Sequence, residues 1–327
     1  MISYFKTTRL YGNLYLLLFA LFIKAAWIVG LFTNPLPANA SLPFIEKLLT
    51  STGGRVVYAL LTFLFLYFSA LLVNHIANRH LLLGQKTHIA ALIFLLISGP
   101  FPGLHLMSIA GLLIILEVFI INKCFKMYQK SRMEANVFDI ALLAGLGSII
   151  VFPFAGWWVF ILPVMLVLSH FSARLLGLAL VGLAMPWYVW AVYLFLTNRF
   201  NVFNNKWLDI KAGFLQFPHF TFSNDAISLQ LILLVTILSI IVYFLERRGM
   251  SQKIKFYFLC CIIVIICSGL AILLFPQHYH WLPVIILVPA TYLISRLFFI
   301  MPRKLAGFLF IVLIGGIIAA QIIYIFV

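Results

Sequence analysis

Charged residues are scarce in this chain. Only 9% of its 327 residues are Asp, Glu, Lys or Arg, while 65% are hydrophobic. A soluble globular domain has about 25% charged and roughly 45–50% apolar residues, so this chain has too little polar surface to cover a water-soluble body. The composition excludes a soluble enzyme, a secreted disulfide module and a disordered tail. It predicts an all-α fold, a polytopic transmembrane helical bundle.

Acidic residues and cysteines are the rarest chemical groups. The seven acids are Glu46, Glu117, Glu134, Asp139, Asp209, Asp225 and Glu246, and the four cysteines are Cys124, Cys260, Cys261 and Cys267. The cysteines show no CxxC pair and no Cys/His spacing for zinc, so we expect small buried apolar residues. The two histidines of the HYHW segment at 278–281 have no acid or cysteine nearby. We therefore predict no metal site and no cofactor.

Basic residues, by contrast, are in excess, with 22 Lys and Arg and a net charge of +15. In a soluble protein this would indicate nucleic acid. Here the basic residues lie in the loops between apolar runs, as the positive-inside rule predicts for a membrane protein. We therefore expect membrane lipids, and no nucleic acid, as partners; protein partners are left open.

Apolar windows bounded by charges, proline and glycine predict about eleven spans. They lie near residues 12–32, 56–74, 88–99, 104–122, 137–153, 156–171, 174–196, 227–245, 256–275, 280–299 and 305–326. The third window is short and ends at SGPFPG, so 88–122 is either two short spans or one broken span. We treat residues 1–327 as a single transmembrane domain.

The loop charges favour an N-terminus inside and a C-terminus outside. With this topology the inner segments hold fifteen Lys and Arg residues and the outer segments five. Merging the third and fourth windows would put the basic cluster at 246–255 opposite that at 123–132, which the positive-inside rule disfavours. The two long outer loops are then 33–55 and 197–226, and the second mixes aromatic and polar residues as an interfacial helix or re-entrant stretch does.

Lys24 and Glu117 are the ionisable residues inside predicted spans that we consider as functional candidates. Lys24 is either a clamp for phosphate or carboxylate, a member of an ion pair, or a side chain that extends to the headgroups beside Trp27. Glu117 is either a proton carrier or the partner of Lys123, which follows it near the basic cluster.

The stretch from Asn78 to Arg199 carries a resemblance to known proteins. It contains NRHLLLGQKTHIAALIFLLISGPFPGL, then EANVFDIALLAGLGSIIVFPFAGWW, then SARLLGLALVGLAMPWYVWAVYLFL. This order resembles a family of uncharacterised bacterial multi-pass inner-membrane proteins, which implies the same location for this chain. Members of that family are sometimes labelled carotene monooxygenases. That activity requires an iron held by four histidines, and the histidines here are scattered over both predicted faces of the membrane.

The same stretch is more distantly similar to the C-class glycosyltransferases, which take sugars from polyprenyl-phosphate donors. The similarity lies in the helix pair broken at Pro100, the Gly-rich span ending near Pro153, and the span carrying Pro186. Those enzymes carry a catalytic Asp in the first outer loop, whereas Glu46 is the only acid in the corresponding loop here.

Three functions remain open on these grounds. The first is a glycosyltransferase-like protein that handles a polyprenyl-linked or lipid substrate at the outer leaflet, with Glu46 as candidate base. Its candidate phosphate-binding residues are Lys24, Arg55, Arg199 and Lys211. The second is a non-catalytic membrane subunit or assembly scaffold, which the missing Asp favours. The third is a transporter, although no second broken helix matches SGPFPG in the later half.

Overall fold

The computed structural model describes residues 10–33, 52–101, 109–128, 133–168, 172–213, 224–274 and 282–326. Within these ranges the chain forms twelve α-helices and two short 3₁₀ helices, and no strand. The all-α prediction is therefore confirmed for the described residues. Among them, five helices are long and apolar enough to cross a membrane: Gly53–Arg79, Met133–Ile150, Ala173–Leu196, Gln252–Leu270 and Pro283–Ile300. Their length and composition are those of a membrane protein.

The described helices are numbered in chain order. They are α1 (Leu10–Thr33), α2 (Thr52–Arg79), α3 (Ile89–Ser98), α4 (Ile109–Met127), α5 (Met133–Ile150), α6 (Gly156–Val167), α7 (Ala173–Leu196), α8 (Phe200–Gly213), α9 (Asn224–Glu246), α10 (Gln252–Leu274), α11 (Leu282–Ile300) and α12 (Arg303–Phe326). The 3₁₀ helices are Phe152–Ala155 and Arg247–Gly249.

Each apolar window predicted from the sequence overlaps one of these helices. Two separate helices, α3 and α4, occupy the stretch 88–122, and residues 102–108 between them lie outside the described residues. Helix α8 forms within the predicted outer loop 197–226, while most of the loop 33–55 is outside the described part of the chain. The number of membrane crossings and the sides of the two termini stay predictions.

The chain divides into two compact units. The first comprises Met1–Ile115, Phe222–Ile254 and Ala290–Val327, and the second comprises Leu116–Thr221 and Lys255–Pro289. In the first unit every residue of α3 is buried. Helix α3 has no polar face, because its sequence IAALIFLLIS is apolar all round, and such a helix is stable when other helices surround it. Helices α1, α2 and α12 supply these contacts.

Helices α2 and α3 form a hairpin. Two hydrogen bonds between the Asn78 side chain and the Thr87 backbone stabilise it. The Asn78 amide donates to the Thr87 carbonyl at 3.0 Å, and the Thr87 N–H donates to the Asn78 side-chain oxygen at 2.9 Å. Between them the chain turns through two positive φ angles, 51° at Leu81 and 80° at Gly84. Glycine adopts a positive φ without steric cost, which explains why Gly84 occupies the second of these positions.

In the second unit, α5 and α7 run parallel and pack closely. The Arg174 guanidinium lies 3.1 Å from the Glu134 carboxylate near the N-terminal ends of the two helices. Farther along, the indole N–H of Trp187 donates to the Ser148 hydroxyl at 2.8 Å. Helix α6 connects α5 to α7 and runs back toward the start of α5, which allows α5 and α7 to be parallel.

Two glycines permit this close approach. A Cβ atom on Gly145 would lie 2.6 Å from the Leu183 carbonyl oxygen, and one on Gly182 would lie 2.8 Å from the Phe138 carbonyl oxygen. Helices in lipid gain no hydrophobic free energy from association, so small residues that let backbones approach are the main source of their packing.

The free cysteines agree with the sequence prediction. Cys124, Cys260 and Cys261 are buried and Cys267 is half-buried, and none forms a disulfide. They pack as small apolar side chains within the second unit.

We expect Gly182→Ala to lower the free energy of unfolding by about 1–3 kcal/mol, because the added methyl group collides with the α5 backbone. Gly177 lies on the same helix and has nothing within 4 Å of an added Cβ. Gly177→Ala is therefore the matched control, and we expect it to be neutral or to stabilise by up to about 1 kcal/mol through helix propensity. Thermal unfolding in detergent compares the two variants. Equal midpoints would contradict the close α5–α7 contact.

Candidate functional site

An open apolar groove runs between α5 and α7. Its volume is about 500 Å³, within the range of sites that hold small molecules. Helix α5 contributes Leu142, Leu146 and Ile149 to its walls. Helix α7 contributes Met185, Pro186, Val189, Trp190 and Tyr193. Because these walls are almost wholly apolar, the groove suits a hydrocarbon chain.

The groove follows from the way the two helices meet. They touch at Gly145 and Gly182, and the larger side chains that follow along α7 hold the surfaces apart. Pro186 lies at the bottom, and as a proline inside a helix it has no N–H to donate to the Gly182 carbonyl. Leu146, Val189 and Tyr193 are exposed along the edges, so the groove is open on the side.

Helix α8 lies next to one end of the groove. After α7 the chain reverses at Asn198, whose φ is 55°, and the Arg199 N–H donates to the Leu194 carbonyl at 2.8 Å. Helix α8 then brings the Lys206 ammonium to within 3.3 Å of the Ile150 carbonyl, next to Ile149 of the groove wall. This bond also satisfies one of the carbonyl groups that the last turn of α5 leaves without a helical partner.

Aromatic rings connect α8 to the groove. The Phe203 ring of α8 lies 5.6 Å from the Trp190 ring and 6.2 Å from the Trp187 ring, and these two indoles are 5.8 Å apart. Trp190 thus belongs both to the groove wall and to this aromatic cluster, which fixes the angle between α7 and α8. Tryptophan and tyrosine are enriched at the headgroup level of membranes.

Two basic residues stand at this end. The Arg199 side chain is exposed and the Lys206 side chain is half-buried. Seven residues separate them, which corresponds to about two helical turns, or roughly 10 Å along the axis. The second unit therefore presents an apolar groove with positive charge at one end.

The structure distributes the residues predicted for substrate binding between the two units. Arg199 lies at the groove end and Lys211 lies farther along α8, where its side chain is not described. Lys24 and Arg55 belong to the first unit, on α1 and on the first turn of α2. Glu46 and the two histidines of HYHW lie outside the described residues.

Lys24 has a definite position within the first unit. It is 1% exposed, on the α1 face that also buries Leu16, Ala20 and Ile23. The side chain therefore lies inside the helix bundle, not along its surface as headgroup contact would require.

Sequence reasoning missed Trp190, Tyr193 and Lys206 as parts of a site. The first two follow Pro186 at intervals of four and three residues, a spacing that puts all three on one helical face and could have indicated a groove wall. Lys206 carries no such signal, because its position depends on the reversal at Asn198.

No family model matches this chain, and neither the curated proteins nor the solved structures contain a significant match. The resemblance to bacterial multi-pass membrane proteins and to C-class glycosyltransferases therefore stays a prediction.

We expect the hydrogen bond from Trp187 to Ser148 to stabilise the α5–α7 contact by about 0.5–1.5 kcal/mol. A double-mutant cycle of Trp187→Phe and Ser148→Ala, followed by unfolding in detergent, measures this coupling. Each single variant already loses the whole hydrogen bond, so the double variant should be less destabilised than the sum of the two single variants. The phenyl ring keeps part of the aromatic packing, which limits other losses. Strict additivity would contradict the bond.

Proposed function

We propose that this chain is a bacterial inner-membrane protein that binds a polyprenyl-linked or other lipid substrate, with the hydrocarbon chain in the α5–α7 groove. The observation that carries the proposal is the groove itself, which is apolar along its walls. Lys206 lies next to one end of it, and Arg199 lies in the turn that follows α7.

Physical chemistry decides which part of a lipid would give affinity. A hydrocarbon chain that moves from bulk lipid into an apolar groove gains little, because both environments are apolar. Selective binding therefore needs a polar contact as well as shape. Arginine binds phosphate oxygens through two parallel hydrogen bonds, and lysine adds a point charge. Arg199 and Lys206 thus support a substrate with a phosphate headgroup.

A glycosyltransferase-like reaction would also need a base. Glu46, the only acid in the first predicted outer loop, is the sequence candidate for that role, although it does not lie in a motif of those enzymes. The groove offers no carboxylate among its lining residues. The described geometry supports the lipid-binding step, and the transfer step rests on the resemblance.

We expect Val189→Trp to abolish most lipid binding, because the indole fills the groove. The measurement is photocrosslinking to a polyprenyl phosphate that carries a diazirine on its chain, with adducts mapped by mass spectrometry. Val181→Trp is the matched control: both valines are on α7, they are 57% and 59% exposed, and only Val189 lines the groove. Wild type and Val181→Trp should give adducts within 142–149 and 185–193. Equal crosslinking in the two variants would contradict the proposal and favour a scaffold.

We also propose that the chain crosses the membrane about eleven times, with the N-terminus inside and the C-terminus outside. This topology puts α8 and both basic groove residues at the outer surface. Reporter fusions in the segment 197–226 and after Val327 should give the signal of the outer side, and fusions within 123–132 and 246–255 that of the cytosol. A cytosolic signal from 197–226 or from the C-terminus would contradict this topology.

A further inference from the structure

The Glu117 carboxyl is enclosed within the second unit. Glu117 lies on α4 and is 0% exposed. Both of its carboxyl oxygens are buried, and neither makes a hydrogen bond within the described residues. The backbone N–H of Val288 on α11 faces the carboxyl without completing a hydrogen bond, and the Cys261 thiol faces it from α10. These are its polar surroundings in the part of the chain that the structure describes.

No cation within the described surroundings balances a negative charge at this position. Lys123, the sequence candidate for pairing with Glu117, forms its ion pair with Asp139 of α5 instead. An ionised carboxylate that is buried without a partner costs several kcal/mol, and such a group stays neutral instead. The neutral form requires a bound proton.

The sequence of α11 leaves one backbone carbonyl without its helical donor close to Val288. Pro289, next to Val288, lies inside the helix and has no N–H. It therefore cannot donate to the Ile285 carbonyl, which lies within one helical turn of Val288. In membrane proteins the carbonyl groups that proline frees are satisfied by neighbouring groups. A protonated carboxyl on the adjoining helix has the donor for this bond, and a carboxylate does not.

We propose that Glu117 is a proton-binding site, in which the bound proton makes the contact of α4 with α10 and α11 electrically neutral. This site is separate from the α5–α7 groove and does not depend on the proposed lipid function. Loss of the proton leaves a charge in an apolar interior. The packing of these three helices is therefore sensitive to alkaline pH.

Carbodiimide labelling tests the bound proton directly, because N,N′-dicyclohexylcarbodiimide partitions into membranes and reacts with protonated carboxyl groups. In native membranes we expect an adduct on the peptide that contains Glu117, with a yield that decreases as the pH is raised. Glu117→Gln should lose the adduct completely. The matched control is Glu134→Gln, which removes an exposed carboxylate paired with Arg174 and should leave the labelling of Glu117 unchanged.

A second measurement covers the case in which the reagent does not reach the site. The unfolding midpoint of wild type should fall relative to that of Glu117→Gln as the pH is raised, because only wild type loses a buried proton. The site is supported either by the adduct or by a difference between the two unfolding midpoints that grows as the pH is raised. Absence of both overturns it. Replacing choline chloride with sodium chloride at constant pH should change neither result, and protection by sodium would overturn the assignment of the ligand as a proton.

Discussion

The second unit depends on one contact, the close approach of the α5 and α7 backbones at Gly145 and Gly182. In lipid the association of helices gains nothing from the hydrophobic effect, so van der Waals packing and a few hydrogen bonds must supply the free energy. Here the glycines permit the close packing. The hydrogen bond from Trp187 to Ser148 adds a directional contact near the C-terminal end of α5. The groove lies beside this contact, and the chain reversal at Asn198 places α8 and its basic residues next to it.

In the proposed function, recognition of a lipid combines two kinds of interaction. The apolar walls of the groove select for shape, since transfer from bulk lipid to protein changes the hydrocarbon environment little. In the same proposal, the charges of Arg199 and Lys206 distinguish a phosphate headgroup from a neutral one. Aromatic rings at Trp190 and Phe203 hold these two parts together.

Hydropathy was sufficient to predict the helices, because a run of apolar residues bounded by charges corresponds directly to a buried helical segment. Contacts between distant segments were harder to predict. Lys123 pairs with Asp139 across a helix boundary, whereas sequence proximity favoured Glu117. Lys206 reaches the end of α5 because the chain reverses at Asn198. Asn198 is a non-glycine residue with a positive φ, and no local sequence pattern predicts this reversal. Arg199 was predicted from its loop position, and Lys24 proved to be buried on α1.

The most direct test of the central claim is a cryo-electron microscopy structure of the protein in lipid nanodiscs that contain a polyprenyl phosphate. The account predicts elongated density between Leu146 and Val189 that continues to a headgroup beside Arg199 and Lys206. A groove closed by its own side chains, or empty while lipid density lies elsewhere on the surface, would contradict it.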